Sequence, residues 1–256
     1  MNRLRAALAA LLALAALTAL TGFAPAPPAL LGGELRRIPT EERVVALTFN
    51  AAWNETGLDT VLGMLRDRAA PAVFFPTGDF ADRHPGALRA VAAAGHGLGN
   101  HSYGHPDFTT LTPDQARAEV RRADTAIRRA VGGGADPLPF FRFPYSATTP
   151  QTVAAVNGLG YADLEFTADT NGYLGPGHGM TADRAVERAL AALTPGAVLQ
   201  LHVGATDEGG PTTCLDAEAL PRIIDGVRAR GYRIIDLRTL LRAQGRSDGR
   251  VPAGSR

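Results

Sequence analysis

The feature that most constrains this chain is an alternation of short apolar runs with segments of helical periodicity. Val44-Val45-Ala46-Leu47-Thr48-Phe49 is an apolar, β-branched run that reads as a buried strand. Leu58, Val61, Leu62 and Leu65 then recur at helical spacing. Further strands are predicted over Ala72–Phe75, Gly97–Asn100, Phe140–Phe143, Tyr161–Thr167, Ala197–His202 and Tyr232–Ile235. Helices are predicted over Pro85–Ala94, from Thr112 to Val131, and over Thr149–Leu159, Ala182–Leu193 and Asp216–Arg230. Thr112-Pro113-Asp114-Gln115 carries an N-cap, a first-turn Pro and a capping-box Gln, and Asp216 reads as the N-cap of the last helix. Strands that are apolar throughout and separated by helices imply an α/β fold with about seven parallel strands and helices outside. Periodicity leaves open whether the sheet closes into a barrel. Either way, polar residues at the carboxyl ends of strands are the candidates for chemistry.

The chain has 256 residues, and 33 precede Glu34 in a segment of different character. Arg3 and Arg5 lead an Ala/Leu run from Ala6 to Leu20, which is the layout of a secretory signal or an N-terminal anchor over residues 1–24. Left uncleaved, the 19 residues from Ala6 to Ala24 are just long enough to span a bilayer, and only then is a membrane contact expected. The expected location is therefore secreted or cell envelope. Residues 25–36 read as a Pro/Gly-rich linker, 37–242 as one folded domain, and 243–256 as a flexible tail. The formal net charge of +1 argues against a nucleic-acid partner held by phosphate contacts. The lone cysteine, Cys214, excludes a Cys-rich metal site, so a metal would rest on the 6 histidines and on carboxylates.

Four polar clusters stand at strand ends. His101 and His105, in HSYGH, lie four residues apart, a spacing that lets two imidazoles converge on one ion. Arg142, in RFPY, ends an apolar strand, where its burial costs desolvation unless it meets a carboxylate or substrate. His202 stands at the tip of LQLH, and Asp169 follows a strand in TADTNGY. Together, and in this order, the four resemble the motifs of the polysaccharide deacetylase family of metal-dependent carbohydrate esterases, over about Val44 to Leu241.

The resemblance implies a distorted (β/α) barrel and hydrolysis of N-acetyl groups on a glycan of peptidoglycan or chitin type. It implies that His101 and His105 hold a divalent metal, usually zinc, and that the Tyr145 N–H helps hold the oxyanion. His202 would be the general acid, oriented by Asp169, and Arg142 would orient the base. Trp53 and Phe143 are candidate stacking faces for a sugar, and a monomer is expected. The family's first motif, T-F-D-D, reads Thr48-Phe49-Asn50-Ala51 here. Asn50 stands at the base position and takes up no proton near neutral pH. Ala51 stands where the third metal ligand belongs. Three readings follow: a divergent deacetylase in which Glu55 or another carboxylate replaces the base or metal-bound hydroxide attacks unaided, a glycan-binding pseudoenzyme, or structural histidines with a different hydrolysis.

Overall fold

The computed structural model describes residues 24–206, 210 and 213–243. The N-terminal run, Asp207, Glu208 and the polar tail lie outside the described residues. Nine strands alternate with eight α-helices among those described. The strands are β1 (Glu34–Leu35), β2 (Val44–Ala51), β3 (Val73–Pro76), β4 (Gly97–Leu98), β5 (Phe140–Phe141), β6 (Ala162–Leu164), β7 (Ala168–Asp169), β8 (Ala197–His202) and β9 (Arg233–Ile234). The helices are α1 (Leu58–Asp67), α2 (Gly78–Arg83), α3 (Pro85–Ala93), α4 (Pro113–Val131), α5 (Pro150–Asn157), α6 (Ala182–Ala191), α7 (Leu215–Ala229) and α8 (Arg238–Ala243).

Every ladder between these strands is parallel. One sheet runs β4-β3-β2-β8-β7 with β9 on β2, and the other runs β1-β6-β5. A parallel bridge between Asn100 and Phe141 joins the two into one curved wall. No ladder joins β1 to β7, the outer strands of the joined wall, so the wall is a distorted (β/α) barrel left open between them. Two additions raise the expected seven strands to nine: β1, which pairs with β6, and β7. The run Tyr161–Thr167 breaks after Leu164, and its two ends serve different sheets.

Side-chain parity explains the layering. Val45, Leu47 and Phe49 of β2 and Leu199 and Leu201 of β8 join the apolar layer between sheet and helices. Ala46, Val73, Phe75, Phe140, Ala162, Leu164 and Val198 point the other way and meet inside the wall. Two residues further along the same inner columns come Thr48 and Asn50 on β2 and Gln200 and His202 on β8. The interior thus turns polar toward the carboxyl ends.

Helix α4 shows its predicted signals. Thr112 and Gln115 form a capping box, Pro113 opens the helix, and Gly132 closes it at φ +60°. Two readings are corrected. Asp216 is not an N-cap; Cys214 holds that position and Asp216 is the second residue of α7. Residues 25–36 are docked rather than linking: Ala26 and Leu30 are buried, and β1 pairs with β6. No helix among the described residues is long and apolar enough to cross a membrane.

Candidate active site

A groove of about 510 Å³ opens at the carboxyl ends of β2, β7 and β8. Asn50, His101, His105, Tyr145, Asp169 and His202 all line it. The β2–β8 register sets Asn50 directly beside His202, and the β7–β8 register sets Asp169 beside Gln200. Among the described residues, four of the six non-glycine residues with positive φ also line the groove: His105, Tyr145, Ser146 and Asn171. Left-handed backbone at such residues is costly and concentrates at functional sites.

Arg142 is 1% exposed and lies beneath the groove. Its Nε donates to the Leu164 carbonyl, Nη2 to the Glu165 carbonyl and Nη1 to Asn50 Oδ1, at 3.0, 3.2 and 3.1 Å. Burial pushes its pKa down to about 10, against the pull of Glu165, Asp169 and Asp163, so it stays cationic at neutral pH. A guanidinium only donates, so this contact orients the Asn50 amide with its oxygen toward Arg142. The Asn50 NH2 therefore turns to His101 Nε2 and Gln200 Oε1, each at 3.3 Å.

His101 is buried, and its Nδ1–H donates to the Arg142 carbonyl at 2.8 Å. That bond makes Nε2 the bare nitrogen. Burial holds the imidazole well below its usual pKa range. Charge on His105 adds to the effect, and the hydrogen bond to Arg142 opposes it. His105 Nε2 lies 3.2 Å from His101 Nε2. The Tyr145 ring, 70% exposed at the rim, meets His105 edge-on at 4.6 Å.

His202 is 4% exposed, with the Tyr173 ring against it at 4.6 Å. The expected pairing with Asp169 gives way to a closer one. Asp169 Oδ1 lies 3.9 Å from His202 Nδ1, whereas Asp216 Oδ2 lies 3.4 Å from it and accepts from the His202 backbone N–H at 2.8 Å. Asp169 is occupied elsewhere, accepting from the Asn171 N–H and from the Gln200 amide.

Three other expected residues stand differently. Phe143 borders the groove, but it is 1% exposed and packed edge-on against Phe108 and Phe141, so it offers no open face to a sugar. Trp53 is not among the residues lining the groove, and its ring carries the Arg83 guanidinium at 4.5 Å. Glu55 faces His84 at 3.5 Å, outside the groove lining, and so is not placed to act as a base there. Sequence reading missed Gln200, Asn171 and Tyr173 as groove residues. A signal for Gln200 existed: a polar residue two positions before His202 in a buried strand shares its face.

The sequence profile described as polysaccharide deacetylase matches residues 37–164. A chitooligosaccharide deacetylase of Bradyrhizobium sp. (strain ANU 289) is 33% identical over 200 residues, covering 75% of this chain and 88% of the relative. The chain belongs to the polysaccharide deacetylase family. A peptidoglycan-N-acetylmuramic acid deacetylase of Bacillus subtilis (strain 168) is 28% identical, covering 75% of this chain and 69% of that one. The fold agrees with a solved family 4 carbohydrate esterase pseudoenzyme from Bacillus anthracis. Its TM-score is 0.71 at 23% identity, covering 82% of this chain and 69% of that chain.

Within this polysaccharide deacetylase fold the two imidazoles fit one edge of a metal site. Two nitrogens bound at about 2.0–2.1 Å on a tetrahedron sit about 3.3 Å apart, and His101 Nε2 and His105 Nε2 are 3.2 Å apart. Among the described residues no third His, Cys, Asp or Glu joins them. Ala51 is 4% exposed and packed in the apolar layer behind the sheet.

Proposed function

We propose that this chain removes N-acetyl groups from an N-acetylated glycan of the chitooligosaccharide or peptidoglycan type, as the names of its relatives suggest. The observation that carries the reading is the pairing of His101 and His105 at metal-chelating distance in the groove that also holds His202.

His101 and His105 would hold a divalent ion, most simply zinc, which when bound polarises the acetyl carbonyl. The chain's own residues supply the other contacts, with no carboxylate at position 50 to take the proton of the attacking water. Tyr145 borders the space a sugar would occupy, and its backbone N–H is the proposed donor to the oxyanion. His202 turns Nδ1 toward Asp216 and so keeps Nε2 for the groove, where the ring, once protonated on both nitrogens, gives the Nε2 proton to the leaving amine. Arg142 fixes the side chain at position 50. The basic and then apolar N-terminus supports an exported protein that meets envelope or environmental glycan.

A second reading, glycan binding without turnover, rests on one contact. The Asn50 NH2 points at His101 Nε2, so it presents hydrogen where the reaction needs a lone pair. An acetate-release assay on chitooligosaccharide and on peptidoglycan, with and without added zinc, separates the two. Acetate release supports the enzyme; binding of the glycan with no acetate under any condition supports the binder.

A further inference from the structure

Helix α7 brings a carboxylate to His202 from an unexpected direction. Asp216 is 1% exposed, and His202 is 4% exposed. One oxygen of Asp216 serves both the backbone N–H and the ring Nδ1 of His202. The other, Oδ1, has no hydrogen-bond partner among the described residues. A buried carboxylate with so few donors is expensive unless a cation forms beside it. An imidazolium at His202 would supply that cation.

The surroundings hold Asp216 in place. It lies in the first turn of α7, where the helix dipole favours negative charge. Cys214, the N-cap, donates its thiol to the His202 carbonyl at 3.3 Å, which ties the helix start to the end of β8. On the opposite side is Gly172. A Cβ built there would sit 2.3–2.6 Å from the carboxylate atoms of Asp216. The φ of Gly172 is not in the left-handed region, so glycine is needed there for room rather than for conformation.

We infer that Asp216 is the residue that positions His202, and that Gly172 is the clearance that admits it. The inference deepens the reading of His202 as proton donor. By accepting from Nδ1–H, Asp216 fixes the tautomer that leaves Nε2 facing the groove and stabilises the imidazolium once it forms. Asp169, with both oxygens engaged by Asn171 and Gln200, braces the strand end instead. The charged and titratable groups facing His202 are thus Asp216 in α7, Cys214 at its N-cap, Asp169 from β7, Tyr173 from the loop that follows, and His101 across the groove.

The test reads the tautomer of His202 directly, by imidazole 15N NMR on the full chain at a pH where the ring is neutral. The wild type is expected to protonate Nδ1. Asp216→Asn is expected to abolish that preference, and Asp169→Asn to keep it. Gly172→Ala, which retains the carboxylate but crowds it, is expected to weaken the preference and serves if Asp216→Asn fails to fold. An unchanged tautomer in Asp216→Asn, or in Gly172→Ala where that is the readable variant, would overturn the assignment. So would a shift in Asp169→Asn alone. In preparations that release acetate, Asp216→Asn should lower kcat by about 10²-fold or more with KM little changed. A wild type that releases no acetate sinks the deacetylase reading and leaves the tautomer result standing by itself.

Discussion

Arg142 Nη1 donates to Asn50 Oδ1 across 3.1 Å, and this one contact decides which way the amide at position 50 faces. With the oxygen held by a buried cation, only the NH2 remains to face the histidines. A carboxylate at the same position would offer its second oxygen to that side.

Asn50→Asp is therefore expected to raise acetate release on chitooligosaccharide by about 10²–10⁴-fold, the usual scale of a positioned general base. The measurement is the initial rate with zinc present. A variant that folds, binds zinc and remains as slow as the wild type would show that position 50 is not what limits turnover.

Zinc binding should follow the same logic. Calorimetric titration of the wild type is expected to show weak binding that His101→Ala abolishes. Asn50→Asp is expected to tighten it by about tenfold or more, because an acceptor replaces a donor beside His101 Nε2. Equal affinity in the wild type and His101→Ala would remove His101 from the site.

Asp163 sets a pH dependence of stability. It is buried, and neither carboxylate oxygen has a hydrogen-bond partner among the described residues. Burial, helped by the charges of Glu165 and Glu34, pushes its pKa up to about 9 from 3.8, against Arg142 and Arg36. Below pH 3.8 both folded and unfolded chains hold the proton. Between 3.8 and about 9 the unfolded chain releases it and the folded chain does not. This residue's contribution to stability therefore falls as pH rises, by up to about 1.4 kcal/mol per pH unit, and levels off above about 9. His101, shifted the opposite way, costs stability only below the usual histidine range, and Cys214, pushed up by burial from 9.0 to about 12, adds a slope of the same sign only as pH nears 9, so the window from pH 7 to 8 isolates Asp163. Urea denaturation across that window should slope downward for the wild type and more gently for Asp163→Asn. Parallel slopes would exclude the residue as the source.

Leu30, within the segment expected to be a linker, is 2% exposed in the inner apolar cluster with Val73 and Phe140. Leu30→Ala should cost about 2–3 kcal/mol in denaturant unfolding. A cost below about 0.5 kcal/mol would mean that the segment is not docked in solution.

The strands and long helices were legible because period and capping chemistry are local properties of the chain. The break after Leu164 was not, since one continuous run of favourable residues can feed two sheets when the wall curves between them. His101, His105, Arg142 and His202 were legible as polar residues ending apolar strands. The docked segment was hidden by composition: Pro, Ala and Gly suggest a linker, yet Ala26 and Leu30 need only a matching hollow. Asp216 was hidden by its position. In a helix's first turn an Asp already has a routine role, and nothing local says that its carboxylate reaches back to a strand end.

Gly172 and Asp216 also exclude one another's alternatives. A side chain at position 172 would occupy the volume that the Asp216 carboxylate fills, so the loop and the helix cannot both present a group there. Change at either position is conditional on the other. An acid introduced into the loop would be tolerated only after the helix had given up its own, and the route from one arrangement to the other passes through a chain that has neither or is overcrowded.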